Sequence, residues 1–185
     1  MKVTFYWTEI IDLLKSFVGI TILFSLYYFR NVTFWQALPT VALFVGIGFI
    51  LHELAHKFMA SYYGYNSYYV SNDMMLLASL VIGFFGVLFL APGAVITENV
   101  RKMKHLGIIS LAGPATNFML GIICLIGLAF HPIFVVGYSI NAWLALFNMI
   151  PFLGLDGEKV LAWNKTAYII SVVVIGALFI GTYII

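Results

Sequence analysis

The sequence predicts an α-helical integral membrane protein: a bundle of five to six transmembrane helices with a small re-entrant or β-hairpin region between the first two core helices. Three observations predict it. Of the 185 residues, 63% are hydrophobic and only 9% are charged, whereas a soluble domain carries about 25% charged residues. The apolar residues fall in runs that suit a bilayer, which takes ~20 residues per helical crossing. Aromatic residues cluster near the ends of several runs, as interfacial belts do: Tyr27, Tyr28, Trp35, Tyr62, Tyr63, Tyr65, Tyr68 and Tyr69. The length allows a single membrane-embedded domain over 1–185. A net charge of +2 gives no footprint for a nucleic-acid partner. The lone Cys124 allows no intrachain disulfide.

Five runs are read as spans. The first, 11–29, is an accessory span; no small-residue cleavage site follows it, so it is expected to be retained rather than removed as a signal peptide. The second, 38–62, opens at Pro39, a residue suited to a helix's first turn. The third, 106–130, stops at His131-Pro132. The fourth, 133–150, stops before Pro151. The fifth, 166–185, is the C-terminal span. The core is expected over 38–160.

A sixth run, 74–92, is long enough to cross but carries two glycines and ends in Pro92-Gly93. Charge decides its path. If it crosses, the nine Lys and Arg residues divide three against six. If it dips in and returns, eight share one side and only Arg30 lies opposite. The positive-inside rule favours the second arrangement, with a cytoplasmic N-terminus. The chain is thus expected in a cell membrane, of the prokaryotic kind, with lipids as its neighbours.

The chemistry is concentrated in His52-Glu53-Leu54-Ala55-His56, inside the second run. Residues i and i+4 of a helix project from one face, one turn apart. Two imidazoles so spaced can grip one Zn²⁺, and Glu53 beside the first can act on a water at the metal. Ionisable groups are costly at this depth, so such a cluster is read as functional. In the topology above, the pair lies toward the cytoplasmic end of its helix. Catalytic zinc takes a third protein ligand. Asp156, after the break at Pro151, is the best candidate, because a Pro and two Gly residues can turn its carboxylate back into the bundle. Glu158, Asp73, Glu98, His105 and His131 are the others; His131 falls on the opposite side.

HELAH together with Asn148-Met149-Ile150-Pro151-Phe152-Leu153-Gly154-Leu155-Asp156-Gly157 resembles the paired signatures HExxH and NxxPxxxLDG of the site-2 protease family of intramembrane zinc metalloproteases. Ala112-Gly113-Pro114-Ala115-Thr116-Asn117 resembles that family's AGPxxN segment. The stretch from Phe89 to Val95 resembles its membrane-embedded sheet or loop. The resemblance covers about 38–160. It implies His52, His56 and Asp156 as ligands of one zinc ion and Glu53 as the general base and later proton donor. It implies Asn148 as a substrate- or oxyanion-binding residue, with Asn117 assigned to substrate binding beside it. The implied activity is hydrolysis of a peptide bond in or near the transmembrane segment of single-pass membrane proteins. PDZ and CBS domains, present in many relatives, are absent from the sequence.

Other readings stand beside these. A metal-ion or proton transporter using the same cluster is the alternative function, although no second HELAH-like segment marks the repeated halves common in transporters. Asn148 and Asn117 can also hydrogen-bond helices together. Gly113, Gly121 and Gly127 are read as points of close helix packing. Gly93–Thr97 is a candidate strand edge for an extended substrate, with Tyr68-Tyr69-Val70 as its partner.

Overall fold

The computed structural model describes residues 3–28, 33–90 and 92–185, with Tyr28 described in its backbone only. Lys2 and Arg30, which enter the charge count, and Ala91 lie outside the described residues. Among those described, the order is α1 (Trp7–Tyr28), α2 (Phe34–Tyr62), β1 (Ser67–Ser71), α3 (Asp73–Phe84), β2 (Gly93–Thr97), α4 (Met103–Gly127), α5 (Phe134–Asn148), α6 (Asp156–Trp163) and α7 (Lys165–Gly181).

Three of these helices are long and apolar enough to cross a membrane: α1, α2 and α4. The fourth and fifth expected spans are shorter, 15 residues in α5 and 17 in α7. At 1.5 Å per residue they reach only about 22 and 25 Å. The second helix also begins earlier than expected. Gln36 Oε1 accepts from the Thr33 amide at 3.3 Å, which anchors the N-terminus before Phe34. Pro39 therefore sits inside α2 rather than opening it.

Helix α2 is the centre of the bundle, packed by α1, α4 and α5. Its outer stripe is apolar and exposed: Leu43, Ile47, Leu51 and Phe58. Its inner face carries Gly48, His52, Glu53, His56 and Lys57, all buried. Apolar outside and polar inside is the reverse of a soluble helix and suits a hydrocarbon solvent. Phe44, Val45, Phe49, Tyr69, Tyr138 and Leu144 belong to the main apolar core. Tyr69 is thus 1% exposed and not a belt residue. Trp35 and Tyr62 are well exposed, as belt residues should be.

The run 74–92 returns to its starting point. Strands β1 and β2 pair antiparallel, from Ser67↔Thr97 to Ser71↔Gly93. The segment between them leaves at Ser71 and re-enters at its ladder partner, and Asn72 N donates to Pro92 O at 2.8 Å. The intervening α3 packs on α1, its first turn capped by Asn72 Oδ1 accepting from Met75 N.

The two edges of this sheet differ. On β1, three of the main-chain groups facing away from β2 are taken by side chains. Lys57 Nζ donates to Ser67 O at 2.9 Å. Tyr69 N donates to Glu9 Oε1 at 3.2 Å, and Ser71 N to Asp12 Oδ2 at 3.2 Å. Antiparallel pairing alternates, so Gly93, Val95 and Thr97 turn their main chain to the outer edge of β2. No third strand covers that edge among the described residues.

Lys57 is more than a topology charge. It is 2% exposed, and its ammonium meets both Glu9 oxygens at 2.7 Å. This buried pair ties the first turn of α1 to the end of α2.

Candidate metal centre

Two structural devices assemble the site. Helix α2 presents His52 and His56 from consecutive turns, both buried. The break after α5 supplies the acid. Leu153 and Gly154 take positive φ, 64° and 73°, to reverse the chain, and Gly154 N donates to Glu158 Oε2 at 2.9 Å. A Cβ on Gly157 would strike the Met149 carbonyl, so only glycine lets α6 start this close beneath the end of α5. Asp156, the first residue of α6, then faces α2 and is 8% exposed.

Three atoms converge. His52 Nε2 and His56 Nε2 are 3.0 Å apart. Asp156 Oδ2 lies 3.3 Å from the first and 3.2 Å from the second. Hydrogen bonding on the far side of each ring sets what those nitrogens carry. His56 Nδ1 meets the Ile109 carbonyl at 2.7 Å, an acceptor only, so Nδ1 donates and the neutral ring keeps a lone pair on Nε2. His52 Nδ1 meets Asn117 Oδ1 at 2.5 Å, with the same result. Burial would raise the Asp156 carboxyl, but His56 and His52 opposite hold it below its ordinary range, so it too is an acceptor.

Three lone-pair atoms facing one point repel unless a cation lies among them. Tetrahedral zinc with donors at ~2.0–2.1 Å sets them about 3.3 Å from one another, close to the separations here. Gly113 of α4 lies against the same point, where a Cβ would collide with both Nε2 atoms. The donor set and the cleared space therefore fit a zinc ion. Gly113, read from sequence as a packing residue, clears the site; Gly121 and Gly127 face Leu178 and Phe134 and do pack helices.

Glu53 is buried beside His52, and its Oε2 has no hydrogen-bond partner. The Val95 main chain approaches its carboxylate from the outer edge of β2. A cavity of 790 Å³ joins these groups; its walls include Glu53, Asn148, Asp156, Lys159 and the whole of β2. Lys159 Nζ stands 3.9 Å from the second Asp156 oxygen.

Asn148 lines that cavity while its Nδ2 donates to Leu144 O at 2.9 Å. Asn117 borders the same cavity. It is 0% exposed, and its amide is spent on His52, Gly48 O and Asn141 Oδ1. The rival third ligands are engaged elsewhere. Glu158 accepts from Gly154 N, Asp73 pairs with Lys15, His105 stacks on Tyr63 and His131 accepts from Ile133 N. Glu98 borders a separate cavity between α1 and the sheet. Sequence reasoning missed Asn141 and Gly113. It also missed the Glu9–Lys57 pair, for which a lysine inside a lipid-length helix was a usable signal.

A protein of Methanocaldococcus jannaschii, named as a candidate zinc metalloprotease, is 39% identical over 165 residues, which cover 84% of this chain and 84% of that protein. A second protein of the same organism, named a zinc metalloprotease, is 32% identical over 149 residues, or 77% of this chain and 38% of that longer protein. No family model matches the chain. No solved structure matches it either.

Proposed function

Because the chain belongs to the zinc metalloprotease family of these archaeal relatives, we propose that it is an intramembrane endopeptidase of the site-2 type, cutting a peptide bond within or near the transmembrane segment of single-pass membrane proteins. Zinc is its cofactor. The observation that carries the reading is the convergence of His52, His56 and Asp156 beside Glu53, whose Oε2 has no hydrogen-bond partner, on a helix whose outer face is apolar.

His52 and His56 through Nε2, and Asp156 through Oδ2, would hold the ion. Bound zinc supplies Lewis acidity, which makes water a usable nucleophile near neutral pH and polarises a carbonyl. Glu53 Oε2 takes the proton of the attacking water and passes it to the leaving amine. A helical substrate hides its peptide bonds and must be extended before attack. The outer edge of β2 offers main-chain groups at Gly93, Val95 and Thr97 for that purpose, beside Glu53. The closed outer edge of β1 supports this choice of strand. Asn148, on the cavity wall with one N–H not used by Leu144 O, would hydrogen-bond the substrate backbone or the developing oxyanion.

We assign five crossings, with α3 re-entrant, the N-terminus and the active site toward the cytoplasm, and surrounding lipid completing α5 and α7. The test uses wild type and Glu53→Gln in liposomes with a single-pass substrate. We expect zinc in both and cleavage by wild type, with the variant's kcat lower by ~10²–10⁴-fold. Equal turnover by the variant, or zinc flux without cleavage, contradicts the proposal.

A further inference from the structure

We propose that Asn141 of α5 is a positioning residue for the metal-facing nitrogen of His52, acting through Asn117 of α4. The inference rests on reading His52 as a zinc ligand.

The two histidines solve one problem in different ways. Each must keep its proton on Nδ1 so that Nε2 presents a lone pair. His56 uses the Ile109 carbonyl, which can only accept. His52 uses the side-chain amide of Asn117, which is ambivalent. Turned by 180°, that amide would offer N–H to His52 Nδ1. The ring proton would then move to Nε2 and block the donor site.

Two acceptors hold the amide the right way round. Asn117 Nδ2 donates to Gly48 O at 2.9 Å and to Asn141 Oδ1 at 2.9 Å. Asn141 is itself locked, because its Nδ2 donates to Gly137 O at 2.9 Å, one turn back on α5. The chain therefore runs with one polarity from His52 to the α5 backbone, crossing three helices. Reversing the Asn117 amide would aim its oxygen at two acceptors in a site that excludes water; Asn117 and Asn141 are 0% and 1% exposed. Gly48, one turn before His52, makes the approach possible, since a Cβ there would lie 2.8 Å from Asn141 Oδ1. Outer partners of ligating histidines set tautomer and orientation, and losing one costs about 10–100-fold in metal affinity.

A helix-glue role for Asn141 is the competing explanation, and epistasis separates the two. An aspartate at 117 has only acceptors to offer His52, so its orientation needs no guard. We expect Asn141→Leu in the full chain, in detergent, to weaken zinc binding by ~10–100-fold. We expect the same change to have less than a threefold effect in an Asn117→Asp background. Thermal stability is read in parallel; glue predicts equal losses of stability in both backgrounds and unchanged zinc affinity, and that result overturns the inference. If Asn141→Leu does not fold, the nitrogen NMR spectrum of zinc-free wild type decides. A proton on His52 Nδ1 supports the chain of bonds, and a proton on Nε2 overturns it. His52→Ala is the control for the underlying assignment: undiminished zinc binding there means the ligand reading itself has failed, whereas lost binding there with normal binding by Asn141→Leu removes only this inference.

Discussion

Two buried polar clusters meet on α2, at adjacent residues, and they are built on opposite principles. Around Lys57 every valence closes: its ammonium is shared by both Glu9 oxygens and Ser67 O, and Glu9 Oε1 also accepts from Tyr69 N. On the inner side of His56 the atoms stay open: two imidazole nitrogens and a carboxylate oxygen face one another as acceptors, and Glu53 Oε2 has no partner. Burial is similar in the two places. A polar cluster that balances its donors and acceptors holds helices together, while one that does not is waiting for something from outside the chain.

The largest expected effect breaks the open cluster. Gly113→Ala places a methyl where both Nε2 atoms converge. Zinc content should fall from one equivalent to near zero, measured by elemental analysis of the purified protein. Asp156→Ala should lower zinc affinity by more than the ~10–100-fold typical of losing an outer partner.

Breaking the closed cluster should spare the metal and cost stability. Lys57→Met leaves the Glu9 carboxylate buried without its cation, which should destabilise the chain by about 3–5 kcal/mol in a denaturation titration. The double variant Glu9→Met/Lys57→Met should recover most of that loss, since an apolar pair of similar volume is often neutral. Zinc content of the folded fraction should be unchanged in both.

A smaller and more selective effect is expected at the sheet. Val95→Pro removes one outward N–H from β2, the one that approaches the Glu53 carboxylate, without touching the ladder to β1, so cleavage should slow while zinc is retained. Unchanged cleavage would remove the outer edge of β2 from the substrate path. Asp73→Asn, which removes the charge from exposed contacts with Lys15 and Ser71 Oγ, should not change the unfolding midpoint measurably.

What could be read from the sequence was whatever lipid makes expensive. HELAH stood out because ionisable groups inside an apolar run need a reason, and the Pro-Gly-Asp-Gly turn stood out because it breaks a helix where a carboxylate is available. The expected partnership of Gly93–Thr97 with Tyr68-Tyr69-Val70 matches the β1–β2 ladder. Other features had no local signature. Asn141 looks like any helix-bonding amide until Asn117 and His52 are seen beyond it. Gly113 differs from Gly121 only in what faces it. Lys57, inside a lipid-length helix, signals that it needs a partner but not which one, since Glu9 lies 48 positions away. The length of α5 was overestimated because Met149 and Ile150, which follow its last residue Asn148, are as apolar as the helix.

The central claim is that two imidazoles and one carboxylate of this chain hold a single zinc ion. X-ray absorption at the zinc edge, on the full chain in detergent, tests it most directly. The account predicts one zinc per chain with only nitrogen and oxygen neighbours, two of them imidazoles, and loss of that signature in His56→Ala. Stoichiometric zinc with an unchanged spectrum in His56→Ala, or a sulfur neighbour, would contradict it.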